Sequence, residues 1–163
     1  MIKKYQAQLE ELAEKEYPAM YRVALSYTHK HEDALDVIQE SFKKALTYFA
    51  KAEDITDFRP WFFRILVNTG KDDWRKRKRT PESNELPEEL SMPAIDQLTM
   101  MEIAEVLEKL GSPEKEILIL KFFEGFTLNE ISIILDLNTN TVKTKMYRAL
   151  NQLRTIIDEG VTE

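Results

Sequence analysis

The chain has 163 residues, 43% of them hydrophobic and 32% charged, with a formal net charge of -6, which describes a folded protein of one medium domain or two small ones. The absence of cysteine excludes disulfides, a thiol nucleophile and Cys-ligated zinc or iron-sulfur sites, and the two histidines, His29 and His31, lack metalloprotease spacing, so no cofactor or metal is expected. No apolar run approaches the ~18 residues of a membrane span and no hydrophobic targeting segment opens the sequence, so a cytoplasmic location without direct membrane insertion is expected.

The first segment, with Leu9, Leu12 and Ala13, reads as a helix that meets Tyr17-Pro18, where proline either kinks it or starts a new one. Met20, Tyr21, Ala24, Leu25 and Thr28 continue its apolar face. A second helix is expected from about Glu32 to Phe49, with Ala34, Leu35, Ile38, Phe42, Ala45, Leu46 and Phe49 as its buried stripe. Its opposite face carries Asp33, Asp36, Gln39 and Glu40. No histidine or further carboxylate converges on them at ligand spacing, which leaves a solvated face or a protein-docking surface.

After the polar stretch from Lys51, Asp57 is placed to cap an aromatic-rich helix with Pro60 in its first turn and Phe58, Trp61, Phe62, Ile65, Leu66 and Thr69 on its apolar face. That helix runs into Trp74 and the basic series Arg75-Lys76-Arg77-Lys78-Arg79. Residues 59 to 79 contain 8 basic and 2 acidic side chains, whereas residues 80 to 140 contain 3 basic and 13 acidic ones. Cationic side chains beside aromatic platforms suit a single nucleic-acid strand, whose backbone charge and exposed base faces both need partners. The aromatics of the first turns are expected in the core, and Trp74 as the exposed one.

Pro81, Pro87 and Pro93 with Glu82, Glu85, Glu88 and Glu89 make residues 80 to 95 an acidic, flexible linker between two helical domains, 1 to 79 and 96 to 163. Asp96 is expected to open a helix ended by Gly111, and Ser112 to cap another with Pro113 in its first turn, ended by Gly125. Thr127 and Glu130 then form a capping-box pattern before Leu128, Ile131, Ile134 and Leu135. Asp136-Leu137-Asn138 interrupts that helix, and Asn138 can cap the next, whose stripe is Val142, Met146, Ala149, Leu150, Leu153, Ile156 and Ile157. This is helix-turn-helix organisation. Between Thr141 and Arg154 every charged residue is basic: Lys143, Lys145, Arg148 and Arg154. Such a helix suits a DNA major groove, with its first turns at base edges and lysines at phosphates.

Taken in order, Glu32-Asp33-Ala34-Leu35-Asp36-Val37-Ile38-Gln39-Glu40-Ser41-Phe42, then the run Phe58 to Thr69 with its basic tail, then Glu124 to Ile131 and Thr141 to Leu150, resemble the extracytoplasmic-function (ECF) subfamily of sigma-70-type bacterial RNA polymerase sigma factors. The resemblance covers nearly the whole chain. It implies an all-α, two-domain protein that binds core RNA polymerase through its largest and second-largest subunits, recognises promoter DNA at the -35 and -10 elements and helps to open it, with no catalysis of its own. Asp36, Gln39, Glu40 and Phe42 would dock on the coiled coil of the largest subunit. Asp54, Ile55, Thr56, Asp57 and Phe58, with Arg64, Asn68, Asp72 and Arg75, would capture the non-template strand at -10. Thr139, Asn140, Lys143, Thr144 and Arg148 would read the -35 duplex. Lys76, Arg77, Lys78, Arg79 and Lys145 are the expected phosphate contacts. The family is commonly restrained by a membrane-associated anti-sigma factor, so membrane control needs no membrane segment here.

Two features depart from the family pattern. Asp136 and Asn138 stand where glycine and serine are frequent, and both fit the geometry as a left-handed residue and a cap. The -10 loop lacks glycine and carries Glu53, Asp54 and Asp57. The competing reading is an autonomous helix-turn-helix regulator. It accounts for the carboxy-terminal helices and leaves the acidic and aromatic-basic helices unexplained.

Overall fold

The computed structural model describes residues 2–51, 54–78 and 105–161. They belong to two compact units, 2–78 in the first and 105–161 in the second, and all regular structure among the described residues is helical. The expected linker, and most of the helix expected from Asp96, lie outside the described residues.

The first unit packs three helices, α1 (Ile2–Thr28), α2 (His31–Phe49) and α3 (Phe58–Lys78), each against the other two. Glu16 leaves helical geometry in α1 (φ -126°, ψ 19°), two residues before Pro18. The proline ring cannot follow a regular preceding turn and has no N–H to donate, so the helix bends there. The bend places the Glu16 carboxylate against Arg59 of α3, with Nε 2.6 Å from Oε2. At the other end His29 adopts the left-handed region (φ 60°) and its N–H reaches the Leu25 carbonyl at 2.9 Å, which turns the chain into α2.

The buried residues of α2 are Ala34, Val37, Ile38, Ser41, Ala45 and Phe49. This corrects the expected stripe at one edge: Leu46 is 46% exposed, and Val37 and Ser41 are buried in its stead. Because α2 packs against two helices, its buried arc centres on Ala34 and Ala45, and Leu46 falls about 60° beyond Phe49 around the axis. The Ser41 hydroxyl donates to the Val37 carbonyl at 2.7 Å, so its burial leaves no unpaired group.

Phe62, Phe63 and Leu66 of α3 are fully buried and Val67 nearly so. Phe62 stacks on Phe42 (centroids 5.5 Å apart) and meets Phe63 edge-on at 6.2 Å. Gly70 permits the close approach of α1 to α3, since a Cβ there would lie 2.6 Å from Cδ2 and 2.9 Å from Cγ of Tyr27. Substituting Gly70→Ala should therefore destabilise the unit, although alanine is the better helix former. The helix gain of about 0.5–1 kcal/mol is outweighed by an overpacking cost of about 1–3 kcal/mol. Urea unfolding would read a net loss; unchanged or increased stability would mean that the Tyr27 ring shifts without cost.

In the second unit, a helical turn at 105–108 buries Leu107, and Leu110 follows it into the core. The next helix, α4 (Glu114–Leu118), takes Pro113 as its N-cap with no side-chain cap. This corrects the expectation for Ser112, whose hydroxyl bonds the Glu116 carboxylate while the Lys115 N–H is satisfied by the Gly111 carbonyl at 3.0 Å. A π-helical turn, Ile119–Phe123, follows directly. The wider turn carries Phe122 and Phe123 out to 57% and 40% exposure while Leu120 stays buried. Gly125, at φ 72°, lets the chain reverse, and the Phe126 N–H closes on the Leu120 carbonyl at 2.9 Å.

The last two helices are α5 (Leu128–Leu135) and α6 (Thr139–Val161). Ile131 and Ile134 of α5, Val142 and Ala149 of α6, and Ile117 of α4 are buried together with Phe126. Ile157, expected on the stripe of α6, is instead 49% exposed. It lies near the carboxy-terminal end of α6, where the described residues leave it half open to solvent.

Candidate nucleic-acid interfaces

In the second unit the helix-turn-helix is held by local chemistry. Thr127 Oγ1 accepts from the Glu130 N–H at 3.1 Å, and Glu130 Oε1 accepts from the Thr127 N–H at 3.0 Å, a complete capping box. Asp136 ends α5 in the left-handed region (φ 54°, ψ 50°), and the Leu137 N–H returns to the Ser132 carbonyl at 3.0 Å. Asn138 Oδ1 accepts from the Asn140 N–H at 2.8 Å and thereby caps α6. Thr139 donates its hydroxyl to Asn129 Oδ1 at 3.2 Å, which ties the two helices together.

This geometry leaves Thr139, Asn140, Lys143, Thr144 and Arg148 exposed on the first turns of α6. Lys145 points partly inward, 3.8 Å from a carboxylate oxygen of Glu114. Sequence reasoning passed over Tyr147, which is 54% exposed one turn beyond Lys143 and beside Arg148. Its signal was the i, i+4 spacing from Lys143 together with its place off the apolar stripe of α6. Arg148 also borders a cleft of about 530 Å³ with Lys109, Asn151, Gln152, Thr155 and Ile156.

In the first unit, Arg64, Asn68, Asp72 and Arg75 are all exposed and recur at helical spacing on one face of α3. Arg75 Nη1 is 3.4 Å from Asp72 Oδ1, an exposed pair that water and salt weaken. The loop before α3 leaves Asp54, Thr56 and Asp57 exposed, with Ile55 half-buried. Phe58 belongs to an aromatic cluster: it lies 5.4 Å from Trp61, 6.0 Å from Phe49 and 6.3 Å from Tyr5, centroid to centroid. Tyr5, absent from the expected site, is buried, and its hydroxyl oxygen accepts from the Ile55 N–H at 3.0 Å, so α1 supports the loop. A residue so far away in sequence carries no local signal for that role. Trp74 is 45% exposed, as expected.

Asp36, Gln39 and Glu40 are exposed on α2, and Phe42 is half-buried by its stack on Phe62. Asp36 and Glu40 share a groove of about 590 Å³ with Lys44, Thr69, Asp72, Asp73, Arg75 and Lys76, so the acidic face and the face of α3 meet along one seam. Lys44 Nζ donates to Thr69 Oγ1 at 3.1 Å across it. Asp33 is not on the open acidic face. It sits on the edge of α2 toward α3, with Oδ1 2.6 Å from Arg77 Nη2, and Arg77 Nε also donates to Asp73 Oδ2 at 2.7 Å. Burial alone would lower the pKa of the Arg77 guanidinium; the hydrogen bond and charge of Asp73, then the charge and hydrogen bond of Asp33, more than offset this and raise it. Lys78 closes α3, and Arg79 lies outside the described residues. Among the described residues no group of three or more His, Asp or Glu is arranged to hold a metal ion, and no helix is long and apolar enough to cross a membrane.

Two all-α modules, the second carrying a capped helix-turn-helix with a basic leading face, make an architecture suited to binding DNA. The sigma-70 region 2 model matches residues 12–80 and the sigma-70 region 4 model residues 100–153. Among known proteins, the chain is 42% identical over 135 residues to RNA polymerase sigma factor SigV of Bacillus subtilis (strain 168), covering 82% of this chain and 81% of that one. It is 27% identical over 146 residues to the ECF RNA polymerase sigma factor EcfG of Rhodopseudomonas palustris (strain TIE-1), covering 86% and 80%. The sigma factor RpoE of Bartonella quintana, solved in complex with the anti-sigma factor NepR, shares the fold with a TM-score of 0.75 at 23% identity, over 93% of this chain and 97% of that one. The chain belongs to the sigma-70 family of RNA polymerase sigma factors, in its ECF subfamily. Its function is that of a sigma factor: it binds core RNA polymerase, recognises promoter DNA and promotes transcription initiation.

Proposed function

We propose that this function divides between three faces. The exposed side of α2, with Asp36, Gln39, Glu40 and the Phe42 edge, docks on the polymerase largest subunit. Residues 54 to 58 and the Arg64, Asn68, Asp72 and Arg75 face of α3 take the non-template strand of the -10 element. Thr139, Asn140, Lys143, Thr144 and Arg148 read the -35 duplex, with Tyr147 added to that face, and Lys76, Lys78, Arg79 and Lys145 contact phosphates. The observation that carries this reading is the exposure of the polar residues on the first turns of α6, held outward by the capping network around Thr127 and Asn138. Side chains at the start of such a helix reach base edges while lysines reach phosphates.

The chain itself makes and breaks no covalent bond; polymerase supplies that chemistry. It works in the cytoplasm with polymerase and is held in check by a membrane-associated anti-sigma factor; the anti-sigma part of this reading is supported by the complex of the Bartonella relative with NepR. Core polymerase with and without the purified chain, tested on a promoter fragment by strand-specific permanganate footprinting, is the direct test. Strand opening near -10 that requires both the chain and an intact -35 sequence is expected. Tight binding to duplex DNA without polymerase and without melting would overturn the division of labour.

A further inference from the structure

Arg77 differs from the other cations at the end of α3. Its side chain is 38% exposed, against 68% for Arg75, and two separate N–H vectors are already used: Nη2 on Asp33 Oδ1 at 2.6 Å and Nε on Asp73 Oδ2 at 2.7 Å. Asp73 is on its own helix, one turn back. Asp33 is in the first turn of α2, so this guanidinium joins the end of one helix to the start of another. The two carboxylates are themselves poorly exposed, at 15% for Asp33 and 22% for Asp73, and Asp33 Oδ2 is buried with no hydrogen-bond partner.

These facts oppose a phosphate role. Two carboxylates already offset the charge of this guanidinium and occupy two of its N–H directions, so it offers an incoming phosphate less attraction than Lys76 does. Diverting Arg77 to DNA would also leave the largely buried Asp33 carboxylate uncompensated, which is the costly way to break such a pair. We propose that Arg77 is a positioning residue: it clamps the last turns of α3 to the start of α2 and so fixes the direction in which Arg75 and Lys76 are presented to the promoter strand. This rests on the reading of α3 as a DNA-contacting helix. The clamp needs the planar fork of arginine, because its two bonds leave the guanidinium in different directions toward different helices; a lysine ammonium conserves charge without that fork.

The experiment uses the full chain with core polymerase on a promoter fragment, and compares R77A, R77K, K76A, D33N and R77A/D33N for open-complex yield and for the salt dependence of binding. K76A is expected to reduce the slope of log affinity against log salt by about 0.7 to 0.9, the release of roughly one phosphate contact. R77A is expected to keep the parent slope and to lower open-complex yield. R77K should resemble R77A, and R77A should cost less in the D33N background than in the parent, since the uncompensated carboxylate is gone. If R77A folds poorly, the size-conserving R77K and D33N variants carry the comparison. A slope reduced by R77A as much as by K76A and restored by R77K would make Arg77 a phosphate ligand and overturn the proposal. A parent-like slope for K76A as well would show that the end of α3 does not contact phosphate, and the positioning role would fall with that reading.

Discussion

Replacing Asp36 and Glu40 together by lysine is expected to release the chain from core polymerase and abolish promoter-dependent transcription while leaving the fold intact. Both side chains are exposed one helical turn apart on α2, away from its buried arc. Exposed substitutions of this kind change stability by no more than about 0.5 kcal/mol. At a docked interface the same reversal sets like charges against each other, at a cost of several kcal/mol. A loss of about 3 kcal/mol corresponds to more than a 100-fold weaker complex. Fluorescence anisotropy of the labelled chain titrated with core polymerase measures the affinity, and a thermal melt of the variant checks the fold. Parent affinity in a folded D36K/E40K variant would remove α2 from the docking surface.

The largest expected loss of stability is at Phe62. This side chain is completely buried, stacks on Phe42 and meets Phe63 edge-on. Truncation in Phe62→Ala removes the transfer energy of the ring and leaves a cavity between α2 and α3, at about 3–5 kcal/mol. Whole domains are stable by only about 5–15 kcal/mol, so the first unit should melt at markedly lower temperature or lose cooperativity. The second unit has a core of its own around Ile117, Phe126, Ile131 and Val142, and its transition should stay where it was. Calorimetry of the full chain separates the two transitions. A single shifted transition would mean that the units unfold together. Because Phe42 loses its stacking partner, polymerase affinity should fall as well, through the same helix that Asp36 and Glu40 occupy.

Much of the second unit was legible because its geometry is made by neighbours in sequence. Thr127 and Glu130 satisfy each other's backbone N–H groups, Asp136 takes the left-handed turn and Asn138 caps α6, all within a few residues. Periodicity likewise marked the centres of the buried arcs, Ala34, Ile38 and Ala45 on α2 and Val142, Met146 and Ala149 on α6. It failed at their edges. Leu46 and Ile157 are apolar and in phase or nearly so, yet exposed, because the width of a buried arc is set by the helices packed against it. The π turn at Ile119–Phe123 had no signal in the sequence either, and it decides which way Phe122 and Phe123 face.

The sequence by itself determined the helices of the first unit, the helix-turn-helix with its caps, and the uneven charge that separates an acidic face from basic ones, since propensity, capping and composition act over one or two turns of chain. Only the tertiary structure decided that Tyr5 holds the loop through the Ile55 N–H, that Glu16 meets Arg59, and that Asp33 leaves the acidic face to pair with Arg77. Each of these joins residues far apart in the chain. Such pairs form where packing brings a charge or a donor to a partner on another helix or loop, and sequence spacing carries no record of that approach.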